Sequence, residues 1–226
     1  MKLSIIMPVY NEAKTFDRIF QLVKALPVDK EIIIVDDYST DGTRELLNKY
    51  SSDNVRVVFH EKNRGKGAAI RTGIKAVTGD IVIIQDADLE YDPNDILKLI
   101  KPIINDELDV VYGSRFLGDH EKKYTNILYL GNRFFSFLTA ILFFVPITDM
   151  ETCYKVFRAE IIKSFTLHSN RFDFEPEVTA KVLKRKLRFK EIPINYHSRT
   201  YAEGKKIGWK DGVAAIWTLF KYRFVD

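Results

Sequence analysis

Short apolar, often β-branched runs recur through the first half of the chain, at 3–9, 31–36, 55–60, 80–86 and 109–113. Between them the spacing predicts helices at about 12–26, 41–51, 66–77 and 93–105. Two runs are unbroken, Ile32-Ile33-Ile34-Val35 and Ile81-Val82-Ile83-Ile84. Strands of that kind are covered on both faces, as in parallel sheets. The alternation predicts an α/β fold, a Rossmann-like, mostly parallel sheet with helices on both faces. In such sheets ligands collect beyond the carboxyl ends of the strands.

The second half reads differently. Residues 127–147 are strongly apolar, and the stretch 134–147 holds 14 residues without a charge. That is short for a bilayer span, so a buried or membrane-surface helix is expected. A further helix is expected at 175–187 with Pro176 in its first turn. Residues 188–195 read as an edge strand because of Pro193. At 209–224, apolar Trp209, Val213, Ile216, Trp217, Phe220 and Phe224 define an amphipathic helix. With no repeat or linker, 1–226 is expected to form one domain with halves 1–115 and 116–226.

Composition narrows this further. Hydrophobic residues are 46% and charged residues 29% of the 226, which excludes a disordered or fibrous chain. The single cysteine, Cys153, excludes an internal disulfide and a cysteine-based zinc cage and favours a cytosolic setting. The apolar start is too short for a signal peptide and reads as a first buried strand. Residues 1–154 carry 19 basic and 23 acidic side chains, whereas 155–226 carry 16 and 8. A basic second half suits an anionic partner such as a phosphate or a membrane surface. The basic positions from Lys181 to Lys190 read as a solvated helix face, and no nucleic-acid partner is expected. His60, His120, His168 and His197 show no metal-ligand spacing.

The chemistry gathers at the strand ends. Gln85-Asp86-Ala87-Asp88-Leu89-Glu90 follows a buried strand. Alternate residues of an extended chain point the same way, roughly 6.6 Å apart, so Asp86, Asp88 and Glu90 can face one side. Such acids repel unless a cation lies between them, and Mg²⁺ or Mn²⁺ completed by phosphate oxygens fits oxygen ligands. Pro8-Val9-Tyr10-Asn11-Glu12 ends the first strand. Tyr10 offers a flat face to a base and Glu12 an acceptor for a ribose, while Asn11 and Glu12 also suit a helix start. Asp36-Asp37 follows the second strand, Asp37 being the candidate base or ribose contact, and Asp41 suits a helix cap. Asn63-Arg64-Gly65-Lys66-Gly67 is glycine-rich and basic before a helix, which favours anions but lacks the Walker spacing.

This ordered set resembles glycosyltransferase family 2, with its GT-A fold. The resemblance implies a nucleotide sugar, with Pro8, Val9, Tyr10, Asn11, Glu12, Asp37, Lys66, Asp86, Ala87 and Asp88 around the nucleotide. It implies Asp86 and Asp88 at a divalent metal and the diphosphate, with Glu90 at the position of a further ligand, where many relatives carry Gln. Gly113-Ser114-Arg115, Arg133, Thr148-Asp149, Tyr154-Lys155-Val156-Phe157-Arg158, Phe174-Glu175 and Ser198-Arg199-Thr200 to Gly204-Lys205-Lys206-Ile207 resemble the dolichyl-phosphate mannose or glucose synthase branch. That branch implies a polyprenyl phosphate acceptor, held by Arg115, Arg133 and Arg199 with Lys205.

The implied activity is inverting, metal-dependent transfer of a hexose from a GDP-mannose- or UDP-glucose-type donor to that lipid. An ionised phosphate acceptor needs positioning and neutralisation rather than a base. Many relatives carry transmembrane helices, so this chain is expected at the cytoplasmic membrane face or beside a membrane partner. The alternatives are transfer to a carbohydrate hydroxyl, with Asp149 or Glu175 as base, a sugar nucleotidyltransferase and a non-enzymatic nucleotide-sugar-binding domain.

Overall fold

The computed structural model describes residues 1–117, 127–199 and 208–225, and the following concerns these. The strands are β1 (Leu3–Val9), β2 (Lys30–Asp36), β3 (Val55–Phe59), β4 (Ile81–Ile84), β5 (Val110–Ser114), β6 (Lys155–Arg158) and β7 (Phe189–Pro193). The helices are α1 (Phe16–Ala25), α2 (Thr43–Leu47), α3 (Lys66–Ala76), α4 (Asp95–Ile104), α5 (Ile127–Phe143), α6 (Ala159–Lys163), α7 (Phe174–Lys184) and α8 (Trp209–Phe224).

One sheet runs β3-β2-β1-β4-β6-β5-β7. β1 pairs in parallel with β2 and β4, β2 with β3, and β5 with β7. Every residue of β4 is buried, so the apolar run at 81–84 is covered on both faces as expected. β7 is an edge strand and ends at Pro193, whose missing N–H costs no ladder bond there. The exception to parallel order is β6, antiparallel to β4 and β5.

Neither β6 nor α6 was expected as an element. β6 has charged ends around Val156 and Phe157, which hides the strand pattern. Lys155 is nevertheless fully buried. Its Nζ donates to the carbonyls of Met150 and Thr152 and lies 4.7 Å from the Tyr112 ring centre.

Helix packing brings the strand ends together. α3 lies on β1, where Gly73 leaves room for Ile6; a Cβ at Gly73 would fall 2.4 Å from Ile6 Cγ2. α1 starts at Phe16, four residues later than expected, because Asn11 does not cap it. Asn11 adopts φ 53°, its N–H donates to Ser39 Oγ at 2.9 Å, and its Oδ1 accepts from Thr40 N at 2.8 Å. Asp41 is not the cap of α2 itself: Gly42 holds that position, and Asp41, one residue earlier, accepts from Thr43 N at 3.1 Å. Lys181 departs from a solvated face: it is buried, with Nζ 4.8 Å from the Tyr222 ring centre.

α5 and α8 pack on each other and are apolar on the outside. On α5, Ser136 and Thr139 face inward, while Phe134, Phe137 and Ile141 are exposed, Phe137 at 63%. Ser136 Oγ accepts from Met150 N at 3.0 Å, and the Thr139 hydroxyl donates to Phe135 O at 2.8 Å. On α8, Val213, Trp217, Phe220 and Phe224 are exposed, Trp217 at 70%. No helix among the described residues is long and apolar enough to cross a membrane.

Candidate active site

The carboxyl ends of β1, β2 and β4 open on a cavity of about 660 Å³. Its sheet side is lined by Pro8, Val9, Tyr10, Glu12, Asp37, Lys66, Asp86, Ala87, Asp88 and Glu90. α5 and α8 close it opposite, through Tyr129, Asn132 and Phe135 on one and Gly212 and Ala215 on the other. Arg115, Glu151, Glu175, Tyr196 and Arg199 complete the wall.

At the β2 end, Asp37 organises the glycine-rich loop. Its Oδ1 accepts from Arg64 N at 2.8 Å and its Oδ2 from Gly65 N at 2.7 Å. The same Oδ1 lies 2.8 Å from Nδ1 of buried His60, whose Nε2 lies 2.9 Å from Thr72 Oγ1. Asp36 is buried and paired with Arg44 at 2.8 Å. The loop glycines admit protein backbone rather than an anion: a Cβ at Gly65 would fall 2.3 Å from Asn170 O, and one at Gly67 2.7 Å from Ser169 O. Ala68 N donates to Asn170 O at 3.0 Å, so that amide at the start of α3 is already occupied.

Past β4 the acids take two directions. Asp86 Oδ2 lies 2.9 Å from Lys66 Nζ, which also lies 3.2 Å from Glu175 Oε1. Burial disfavours the charge on Lys66, but Asp86 and Glu175 outweigh it and hold the ammonium well above its ordinary pKa. Arg199 bridges the other acids, with Nη1 3.2 Å from Glu12 Oε2 and Nη2 3.1 Å from Asp88 Oδ2. Burial, with Asp86 and Glu90 beside it, pushes the Asp88 carboxyl up to about 7 despite Arg199. Burial is the larger cause, and the two neighbouring acids add to it.

Glu90 does not turn toward Asp86 as a third ligand. Its Oε1 accepts from Arg199 N at 2.6 Å and its Oε2 from the Tyr196 hydroxyl at 2.8 Å, so it anchors the 196–199 segment. Among the described residues, no group of three His, Cys, Asp or Glu side chains converges on a metal position. Asp86 and Asp88 alone still fit Mg²⁺ or Mn²⁺, which use one or two carboxylates and complete their shell with phosphate and water. The observation in favour is the donor set itself, two carboxylates two residues apart that both line the cavity.

Arg115 is locked in a buried, two-pronged pair with Asp149, Nε to Oδ2 and Nη2 to Oδ1 both at 2.7 Å. Burial opposes its charge, and Asp149 more than restores it.

The sequence profile of glycosyl transferase family 2 matches residues 4–166, which include every one of these strand-end motifs. The chain belongs to glycosyl transferase family 2. A UDP-N-acetylglucosamine–dolichyl-phosphate N-acetylglucosaminyltransferase of Methanococcus voltae is 32% identical over 225 residues, covering 90% of this chain and 89% of that one. A dodecaprenyl-phosphate galacturonate synthase of Rhizobium johnstonii is 28% identical over 212 residues, covering 91% and 62%. The glucosyl-3-phosphoglycerate synthase of Mycobacterium tuberculosis, solved with Mn²⁺, UDP and phosphoglyceric acid, superposes with TM-score 0.77 at 18% identity, covering 100% and 79%. The fold is GT-A and the protein is a glycosyltransferase.

In this family 2 enzyme most of the expected residues meet in one cavity, and among the described residues two, Asn11 and Arg133, do not. Asn11 ties the β1 and β2 loops together and lies off the cavity wall. Arg133 is exposed on α5, 5.9 Å from the Phe116 ring centre, and is not part of the wall. Lys205 lies outside the described residues. Asp149 is fully buried, bound to Arg115 and off the wall, which removes it as a candidate base. Glu151 and Tyr196 were not anticipated. Glu151 sits in the turn before β6, and its signal was an acid two residues from Asp149.

Proposed function

We propose that this glycosyltransferase moves a hexose from a nucleotide sugar to a polyprenyl phosphate at a membrane surface. The observation that carries this is the double role of α5 and α8. Each lines the cavity with one side and offers aromatic residues to the outside with the other. A cavity beside an exposed apolar surface suits a substrate whose head is a phosphate and whose tail is a lipid.

Tyr10, Glu12 and Asp37 face the nucleoside, with Asp37 also holding the 63–65 loop. Asp86 and Asp88 hold the diphosphate end together with Lys66. A divalent ion bound there supplies Lewis-acid stabilisation of the departing nucleoside diphosphate. Arg199 is the cation best placed to meet the acceptor phosphate, since its side chain already sits among Glu12, Asp88 and Glu90. Arg115 stands on the wall in a fixed position, its charge matched by Asp149. The acceptor phosphate attacks the anomeric carbon from the face opposite the nucleotide, which inverts the configuration. No general base is needed, because that phosphate is ionised at neutral pH. The cytoplasmic membrane face follows from this reading, because soluble nucleotide sugars are the donors.

A second reading is transfer to a carbohydrate hydroxyl. Glu175 favours it, as a cavity acid whose Oε2 has no partner among the described residues and is available as a base. The test incubates the protein with UDP- and GDP-sugars, Mg²⁺ or Mn²⁺, and a short-chain polyprenyl phosphate. The expected result is a lipid-linked sugar from one donor, lost on chelation. Donor hydrolysis with no lipid product would transfer the assignment to a hydroxyl acceptor.

A further inference from the structure

Two acids on the cavity wall, Glu175 beside Lys66 and Glu151 near Glu175, carry oxygens that no group among the described residues satisfies. Glu175, in the first turn of α7, is 3% exposed. Its Oε1 pairs with Lys66 Nζ at 3.2 Å, and its Oε2 has no hydrogen-bond partner among the described residues. Glu151 Oε1 is likewise buried without a partner. Both residues line the cavity. A carboxylate oxygen removed from water is destabilising unless a donor completes it, so the pair marks a place where a ligand supplies hydroxyls.

Lys66 fixes where that place is. One Nζ touches both Asp86 and Glu175, so the acid pair begins one side chain beyond the diphosphate end. In a nucleotide sugar the group beyond the diphosphate is the sugar. The surrounding cations do not cancel the pair. Lys66 is shared with Asp86, Lys155 Nζ is committed to two carbonyls, and Arg115 is bound by Asp149. Arg199 is taken up by Glu12 and Asp88, and Arg171, also on the wall, is exposed. Burial and the neighbouring Glu175 push the Glu151 carboxyl up to about 8. The pair therefore offers both an O–H donor and carboxylate acceptors at neutral pH.

We propose that Glu151 and Glu175 recognise the hydroxyl groups of the donor sugar and exclude donors whose sugar bears a carboxylate. This rests on the reading of Asp86 and Asp88 as the diphosphate end. Sugar hydroxyls donate to Glu175 Oε2 and exchange donor and acceptor roles with Glu151. A uronate places a further anion against Glu175. At about 6 Å and an effective dielectric constant of about 20, that repulsion corresponds to a loss on the order of 100-fold in affinity.

The test is titration calorimetry of the full chain with Mg²⁺, comparing UDP, UDP-glucose and UDP-glucuronate, and GDP, GDP-mannose and GDP-mannuronate. With whichever base binds, the neutral sugar nucleotide is expected to bind on the order of 100-fold more tightly than its uronate. Glu175→Gln and Glu151→Gln are expected to keep nucleoside diphosphate affinity, to lose about tenfold for the neutral donor and to narrow the gap to the uronate. Equal wild-type affinity for neutral and uronate donors would overturn the proposal without reference to any variant. So would a Glu175→Gln protein that binds every donor like wild type yet fails in transfer, since that marks a base. If neither UDP nor GDP binds, the diphosphate assignment itself is wrong and this inference goes with it.

Discussion

Helices α1 and α5 are both rich in apolar residues and cover them to different extents. α1 buries Phe16, Ile19, Phe20 and Val23, and its rings pack around Tyr50 with centroids 5.3 and 4.4 Å away. α5 turns Ser136 and Thr139 inward and leaves Phe134 and Phe137 outside. Apolar spacing therefore specifies that a helix has an apolar face, not that protein covers it. The half before residue 116 uses such faces to fix the strand ends. The half after it keeps one uncovered beside the cavity. In the proposed reaction the donor is soluble and the acceptor is lipid, and the two halves divide along that line.

The sharpest way to break this division is at the acids. Asp88→Ala is expected to lower transfer by on the order of 10³-fold or more while the protein stays folded. Circular dichroism and a transfer assay with and without chelator check both parts. Full activity with metal present would remove Asp88 from the site. The next test sets the two helices against each other. Phe20→Ala opens a cavity in the core and is expected to cost about 3–5 kcal/mol of stability. Phe137→Ala removes an exposed ring and is expected to change stability by less than about 0.5 kcal/mol. Phe137→Ala should instead weaken sedimentation with anionic lipid vesicles. A large loss of stability at Phe137 would mean that its ring is part of the core.

A smaller effect isolates the sheet side. Glu31 accepts from Ser4 Oγ, Thr78 N, Thr78 Oγ1 and Gly79 N at 2.6–3.1 Å. Burial alone would raise its carboxyl, but these bonds outweigh it and bring the pKa down from 4.5 to about 2. A depressed acid stabilises the fold fully above its unfolded value and loses that contribution as pH falls through its folded value. Glu31→Gln is therefore expected to cost about 2 kcal/mol at neutral pH. Denaturant titrations should show that difference closing between pH 4.5 and about 2. A difference that is constant with pH would mean that Glu31 acts by shape alone.

Much of the donor side was legible because burial and chemistry coincide there. An unbroken apolar run must be a covered strand, and acids directly after it must lie at the strand end, as Asp86 and Asp88 do. What stayed hidden depends on partners distant in sequence. Arg115 meets Asp149 34 positions away, and Glu90 meets the Arg199 amide 109 positions away. No local pattern announces either pair. The same distance effect removed Glu90 from the expected metal set and Asp149 from the candidate bases. β6 was missed because Lys155 is buried, and a buried lysine looks like a surface residue until its carbonyl partners are known. The direction of α8 followed the same logic: its apolar face was visible, and what lies across it was not.

Arg133 gives the finest test of how far the acceptor side extends. The resemblance to the dolichyl-phosphate branch implies a phosphate contact, yet Arg133 is exposed and lies off the cavity wall, beside the Phe116 ring. Phe116 itself lines the cavity, so Arg133 stands one ring outside it. From there a guanidinium contributes through solvent-screened attraction, worth about 1 kcal/mol or less. Arg133→Ala is therefore expected to raise KM for the polyprenyl phosphate by about three- to fivefold, with donor KM and kcat little changed. Steady-state kinetics with each substrate varied in turn decides it. Equal losses for donor and acceptor would mean that Arg133 supports the fold of α5. A loss of on the order of 100-fold in acceptor use alone would mean that α5 shifts to bring Arg133 onto the phosphate, since a screened charge at the rim supplies far less.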